Sequence, residues 1–185
     1  MKFVKRMLVI MFVAIGVSCL QEARCGDVLL KPEVTIVGQR LIIKAPSAKV
    51  QRISIGHDMS WPDIELENLT FGNYAAIKVL DEVGATQKFY RVFLYDETKG
   101  IYVYNKSLSG VPCLEADQEK KELVGACFHD SSCSNWIERY KVDRAGRLSL
   151  VERSGMYCDA AGQTYSYTEN YRTKHKSPTN VKNIR

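Results

Sequence analysis

The chain of 185 residues carries 26 Lys and Arg against 21 Asp and Glu, a formal net charge of +5, with six Cys and ten Tyr. The basic excess sits at the ends: the tail 172–185 holds Arg172, Lys174, Lys176, Lys182 and Arg185 and no acidic residue, and the body 26–171 is net acidic. This distribution excludes a nucleic-acid groove. The tail, with its Ser, Thr, Asn and Pro, reads as a disordered solvated end or as an electrostatic contact for anionic lipid or an acidic partner.

Lys2, Lys5 and Arg6 precede an apolar run, Met7–Val17. The run is too short to span a bilayer and fits a secretory signal. Its exit has two readings. Gly16-Val17-Ser18 before Cys19 is similar to a bacterial lipoprotein box, which would anchor the protein to the outer membrane through Cys19. Cleavage after Cys25, with Ala23 and Cys25 as the small residues, would release residues 26–185. The second reading leaves Cys113, Cys127, Cys133 and Cys158, an even set suited to two disulfides in an oxidising compartment such as the periplasm. Either way the chain reads as signal 1–25, a single domain 26–171 and the tail 172–185.

Val34–Val37 and Arg40–Lys44 flank Gly38-Gln39, a two-residue hairpin connection. Lys49–Ile55 alternates after Ala45-Pro46-Ser47, and Ile64–Phe71 alternates again. Ala75–Leu80 is a strand, with Asp81–Thr86 as the connection after it. Two matched hairpins follow. Phe89–Tyr95 turns through Asp96 to Gly100 into Ile101–Tyr104, and Trp136–Val142 turns through Asp143 to Gly146 into Arg147–Val151. Each turn opens with Asp, whose carboxylate folds back on the backbone, and closes with Gly, which accepts positive φ. Glu122–Cys127 and Thr164–Tyr171 complete the set, the latter with Tyr165, Tyr167 and Tyr171 on one face. No apolar 3.6-residue period runs beyond two helical turns. The fold class is therefore all-β, an antiparallel meander of about ten short strands.

Setting Val142 opposite Arg147 or a neighbour, and extending that register down the hairpin, brings Cys133 close to Cys158. A turn near Asp117–Lys121 brings Cys113 toward Cys127. The expected disulfides are Cys113–Cys127 and Cys133–Cys158, one of three connectivities that four cysteines allow. Cys113, Cys127, His129 and Cys133 also form a nominal zinc set. The spacing lacks a paired C-x-x-C and the compartment oxidises thiols, so disulfides are preferred and no metal is expected. His57-Asp58 near Ser60 and His175 in the tail form no base held by a third group, so no catalytic residues are expected.

Three stretches, Phe89–Asp96, Tyr102–Ser109 and Glu138–Val142 followed by Leu148–Arg153, carry a resemblance to a family of periplasmic inhibitor and immunity proteins of Gram-negative bacteria. The resemblance covers roughly residues 65–153. It implies a propeller-like or lysozyme-inhibitor-like fold, disulfide-stapled here, that blocks peptidoglycan-cleaving enzymes such as lysozymes or secretion-system effectors. Upstream, such proteins usually carry an Asp-x-Asn-x-Asp-Gly calcium loop. The matching Asn68–Ala76 has Gly72 and Ala76 where carboxylates are expected, so no calcium or other cofactor is expected. Ser154-Gly155-Met156-Tyr157 resembles, one residue short, a Ser-Gly-x-x-Tyr loop that such inhibitors insert into an enzyme cleft. That resemblance implies partner binding at Ser154, Gly155 and Tyr157; the alternative is Tyr157 packing beside the Cys158 disulfide. Asp81, Gly84 and Thr86, in the shortened loop Asp81–Thr86, are a second candidate contact.

The resulting expectation is an exported, non-catalytic protein that occludes a cell-wall hydrolase. The other reading is an envelope assembly or adhesion component. In both, the partner is a protein, and membrane contact arises only through a lipid anchor.

Overall fold

The computed structural model describes residues 28–60, 63–83, 87–129, 133–171 and 182–183, with backbone alone for 126–129 and 182–183. The expected signal 1–25 and most of the tail lie outside these residues. Three antiparallel sheets form in chain order, and within each sheet every strand pairs with its sequence neighbour. The first holds β1 (Glu33–Val37), β2 (Arg40–Lys44) and β3 (Val50–Ser54). The second holds β4 (Ile64–Glu67), β5 (Ala76–Val83), β6 (Lys88–Asp96) and β7 (Ile101–Tyr104). After a one-turn helix α1 (Lys106–Ser109), the third holds β8 (Glu115–Asp117), β9 (Glu122–His129), β10 (Asn135–Val142), β11 (Leu148–Cys158), β12 (Thr164–Asn170) and β13 (Lys182–Asn183). This is the expected all-β meander, divided into three sheets and with more strands than the sequence pattern marks.

The second sheet is the middle of the fold and is packed on both faces. Ile77, Val79, Phe93 and Tyr102 form one core with Val34, Leu41, Ile43 and Ile55. Ala76, Tyr90 and Val92 form another with Leu69, Leu108, Val111, Leu114 and Leu123. A strand buried on both faces loses its apolar–polar alternation, and Ala76-Ile77-Lys78-Val79 is buried throughout.

Lys78 is the exception in that run, 1% exposed. Its ammonium donates to Glu65 Oε2 at 2.7 Å and Glu67 Oε2 at 2.9 Å, and lies 4.4 Å from the Tyr90 ring centroid. Tyr90 donates to Glu65 Oε1 at 2.9 Å. Glu67 Oε1 accepts the Ala116 N–H at 2.7 Å, which ties the second sheet to β8 of the third. Burial alone would raise the Glu65 carboxyl; the hydrogen bonds from Lys78 and Tyr90 outweigh it and hold the group below its ordinary value.

The turns lock the sheets together. Gly100 has φ +67°, and its carbonyl accepts the Ser47 hydroxyl at 2.7 Å. The Gln51 side chain pairs with the Tyr102 backbone like a peptide, accepting its N–H and donating to its carbonyl, both at 2.7 Å. In the second hairpin Val142 opposes Leu148, and a bulge between Arg139 and Tyr140 resets the register toward Asn135↔Met156. That ladder brings Cys133 and Cys158 into the expected disulfide, S–S 2.03 Å. Cys113 is also disulfide-bonded; its expected partner Cys127 has a side chain outside the described residues.

Three expectations change. Asp81 lies within β5, which runs on to Val83, and pairs with Arg91 at 2.7 Å, so the supposed loop starts inside a strand. Gly84 and Thr86 fall outside the described residues. Ser154–Tyr157 is not a loop: it lies inside β11, paired with β10 on one side and β12 on the other. The end of the tail is not wholly unpaired, because Lys182–Asn183 forms β13 against Tyr165 and Ser166.

Two measurements test this account. Lys78→Ala leaves Glu65 and Glu67 without their cation and is expected to cost about 3 kcal/mol, read as a lowered urea midpoint. The second concerns the turn aspartates, whose carboxyls all lie below their ordinary value. The first cause is the Thr98 hydroxyl for Asp96, and the backbone N–H of Lys120 for Asp117, of Arg147 for Asp143 and of Gln163 for Asp159. Depressed carboxyl groups stabilise above the unfolded value, near pH 4, and lose that contribution as pH falls through the folded value. Denaturant midpoints should therefore fall below about pH 4, and Asp143→Asn should flatten part of the fall.

Candidate partner-binding face and cleft

Two open features of the described residues bear on binding. The first is the far end of the six-stranded sheet. In β12, Tyr165 and Tyr167 alternate with Thr164, Ser166 and Thr168, so one face is aromatic and the other small and polar. Tyr157 opposes Tyr165 across the ladder, and Gly155 opposes both Trp136 and Tyr167. Tyr157 stacks on Tyr165 with ring centroids 5.4 Å apart, and Tyr167 lies 6.2 Å away.

This face continues the one that packs on the core. Along β10, Trp136 and Glu138 share a side with Tyr140 and Val142, which pack against the second core. The boundary is an ion pair: Arg153 Nε donates to the buried Glu138 carboxylate at 2.7 Å, and the Tyr140 hydroxyl donates to it as well. Beyond the boundary Tyr157 is 40% exposed. Gly155 is required by close approach, since a Cβ there would lie 2.2 Å from the Asn135 carbonyl oxygen. Tyr165 is fixed by its hydroxyl bond to Asp159 at 3.2 Å. Of the three residues expected at a partner-binding loop, Tyr157 is thus presented by a rigid sheet, Gly155 lets two strands close up, and Ser154 points to the opposite face.

The second feature is a cleft of about 450 Å³ between the loop 70–74, the end of β6 and the β10–β11 turn, lined among others by Asn73, Tyr74, Tyr95, Glu97 and Arg144. The turn is built as the sequence predicts. Asp143 Oδ1 accepts the N–H groups of Ala145 and Arg147 at 2.9 and 3.0 Å, and Gly146 has φ +75°. Its docking was not legible. A Cβ on Gly146 would lie 2.2 Å from Asn105 Nδ2 and 2.6 Å from Leu94 Cδ1. Asn105 caps α1 through Oδ1 and donates through Nδ2 to the Ala145 carbonyl at 3.1 Å. The turn is pinned, and Arg144 with it.

The opposite wall is the stretch compared above with a calcium loop. The N-terminal segment straps it down: the Leu30 N–H donates to the Asn73 carbonyl at 2.7 Å, and Ala75 N–H to the Leu30 carbonyl at 3.0 Å. Phe71 sits at φ +55°, a strained conformation for a bulky residue. The donors there do not fit calcium, which takes six to eight oxygens, several of them charged. Asn68 Oδ1 is buried without a partner among the described residues, but it is one neutral oxygen, and the neighbouring carboxylate of Glu67 serves Lys78 and Ala116. Among the described residues, no group of three or more His, Cys, Asp or Glu is placed to hold a metal.

No protein-family model matches this chain. No curated protein matches it either. A solved structure described as a Xanthomonas Type IV secretion system related protein is similar in fold, with a TM-score of 0.58 at 14% identity over 83% of this chain and 85% of that one.

Gly146 separates two costs that can be measured apart. Gly38 also has positive φ but nothing within 4 Å of its Cβ position, so Gly38→Ala should cost only the left-handed strain, roughly 1 kcal/mol. Gly146→Ala should add about 1–3 kcal/mol of overpacking to that strain. Equal denaturant midpoints for the two variants would refute the docking.

Proposed function

We propose that the protein is an exported, non-catalytic inhibitor or immunity protein that binds a peptidoglycan-degrading enzyme and occludes its active site. The observation that carries this reading is the open tyrosine face. Tyrosine supplies large contact area at little entropic cost, with a hydroxyl for the carboxylates that a glycan-cleaving site presents. The tyrosines sit on paired strands beside a disulfide, so little ordering cost remains for binding. The fold likeness to a Type IV secretion system related protein supports a place near such a system, with a cell-wall hydrolase as the effector it neutralises. A periplasmic location, whether soluble or anchored through Cys19, agrees with the signal-like N-terminus and the disulfides.

In this mechanism the contact surface shifts from a loop to a sheet face centred on Tyr157, Tyr165 and Tyr167. Inhibition is steric: the enzyme's cleft is covered, and no bond is made or broken. The test combines capture and kinetics. Hydrolases captured by the tagged protein from envelope and effector fractions are assayed on purified peptidoglycan. Inhibition should saturate at one-to-one stoichiometry, and Tyr157→Ala should weaken it by about 2 kcal/mol, the scale of an interface hot spot. Inhibition that deepens with incubation and leaves cleaved enzyme would sink the steric mechanism. Capture of envelope machinery with no hydrolase would favour the assembly role.

A further inference from the structure

The cleft beside Arg144 is separate from the tyrosine face and built differently. Glu97 and Arg144 occupy the same place in the two matched turns, the residue after the turn aspartate, and both line this cleft. Other charges in those turns are committed: Asp96 to Thr98 and Lys99, and Arg147 to Asp143. Glu97 and Arg144 make no hydrogen bond or ion pair with any described residue, nor with each other. The rest of the lining includes the Tyr74 and Tyr95 rings, 4.4 Å apart at their centroids, and the polar Asn73 and Thr70. The walls are held independently, one by the Leu30 strap and one by Gly146 packed on Asn105. The volume is within the range of small-ligand sites.

Both side chains are exposed, so a purely acidic ligand would pair with Arg144 but bring a like charge to Glu97, and a neutral glycan would gain an ion pair with neither. We propose that this cleft binds a short peptide carrying both a free carboxylate, held by Arg144, and an ammonium group, held by Glu97, with its backbone across Tyr74 and Tyr95. Such chemistry has two sources, a cell-wall stem peptide with D-residues or an all-L protein segment. The inference goes beyond the inhibitor reading and does not depend on it.

The test uses the ¹⁵N-labelled protein, purified as the cell processes it, and follows its amide shifts during titration. The probes are free alanyl-glutamyl-lysyl-alanine in all-L and in alternating L,D form, the N-acetylated C-amidated all-L peptide with its glutamyl and lysyl side chains also blocked, and chitotetraose. Saturable shifts confined to residues 70–74, 95–97 and 143–146 are expected with a free peptide. The stereoisomer that binds more tightly identifies the source. Arg144→Gln and Glu97→Gln should each weaken binding by about tenfold or more, the size of a lost charge-assisted hydrogen bond. Equal binding of the blocked peptide, the same shifts with chitotetraose, or no shifts with either free peptide would overturn the proposal. No hydrolase enters this experiment, so its failure is distinct from a failure of the inhibitor reading, which rests on the tyrosine face.

Discussion

The ammonium of Lys78 decides how the middle of this fold is organised. A lysine buried to 1% exposure in a run of Ala, Ile and Val is affordable only with its charge matched. The match comes from Glu65 and Glu67, two positions apart on β4 and therefore on the same face of one strand. Their partner on β5, Lys78, lies directly opposite Glu65 and diagonal to Glu67, which faces Ala76. Sliding β4 by one residue would turn both carboxylates to the other face, toward the apolar core shared with the first sheet. The ion cluster therefore fixes register as well as neutralising charge. Through the bond from Ala116 to Glu67, it also fixes where the third sheet begins.

Beside the two apolar cores, further joints between the sheets use backbone polar groups. Gln51 completes the Tyr102 peptide, Asn105 completes a helix cap and a turn, and Ser47 closes on Gly100. Each joint satisfies groups that would otherwise lose water without replacement. A meander whose sheets are joined by such bonds has little freedom to rearrange one sheet against the next. Both features open to partners, the tyrosine face and the Arg144 cleft, inherit that rigidity.

Much of this was legible in the sequence, because hairpins are local. The Asp-to-Gly turns, the two-residue Gly38-Gln39 connection and the Val142 register each depend on residues a few positions apart. The Cys133–Cys158 bridge follows from the register. What was not legible depends on neighbours distant in sequence. Ser154–Tyr157 has the polar, glycine-containing composition of a loop, yet Gly155 is small because Asn135 and Trp136 press against it. Asp81 reads as turn chemistry, yet Arg91 across the ladder keeps it in a strand. The short strand Glu115–Asp117 has too little pattern to mark; it pairs with β9, and Glu67 takes its Ala116 N–H. The cleft was missed for the same reason, although the matching positions of Glu97 and Arg144 in the two turns were in plain view.

The tyrosine face is the part of the third sheet that the second core leaves uncovered. β11 starts at Leu148, which packs on the second core, as do Tyr140 and Val142 of β10, and runs on for 11 residues to Cys158. A strand advances about 3.3 Å per residue, so β10 and β11 run well past the layer that packs on them. The face toward that layer keeps its side-chain direction but loses its cover. A run of Leu or Val there would leave bare apolar surface in water, and charged residues would give no contact area. Tyrosines stacked on one another, with hydroxyls toward solvent and toward Asp159, resolve that conflict in the free protein. The same arrangement leaves an exposed, preoriented aromatic surface, the one on which the proposed inhibitor reading rests. The Glu138–Arg153 pair marks where the protein's own core stops, and the disulfide at Cys158 holds the end of the overhang in place.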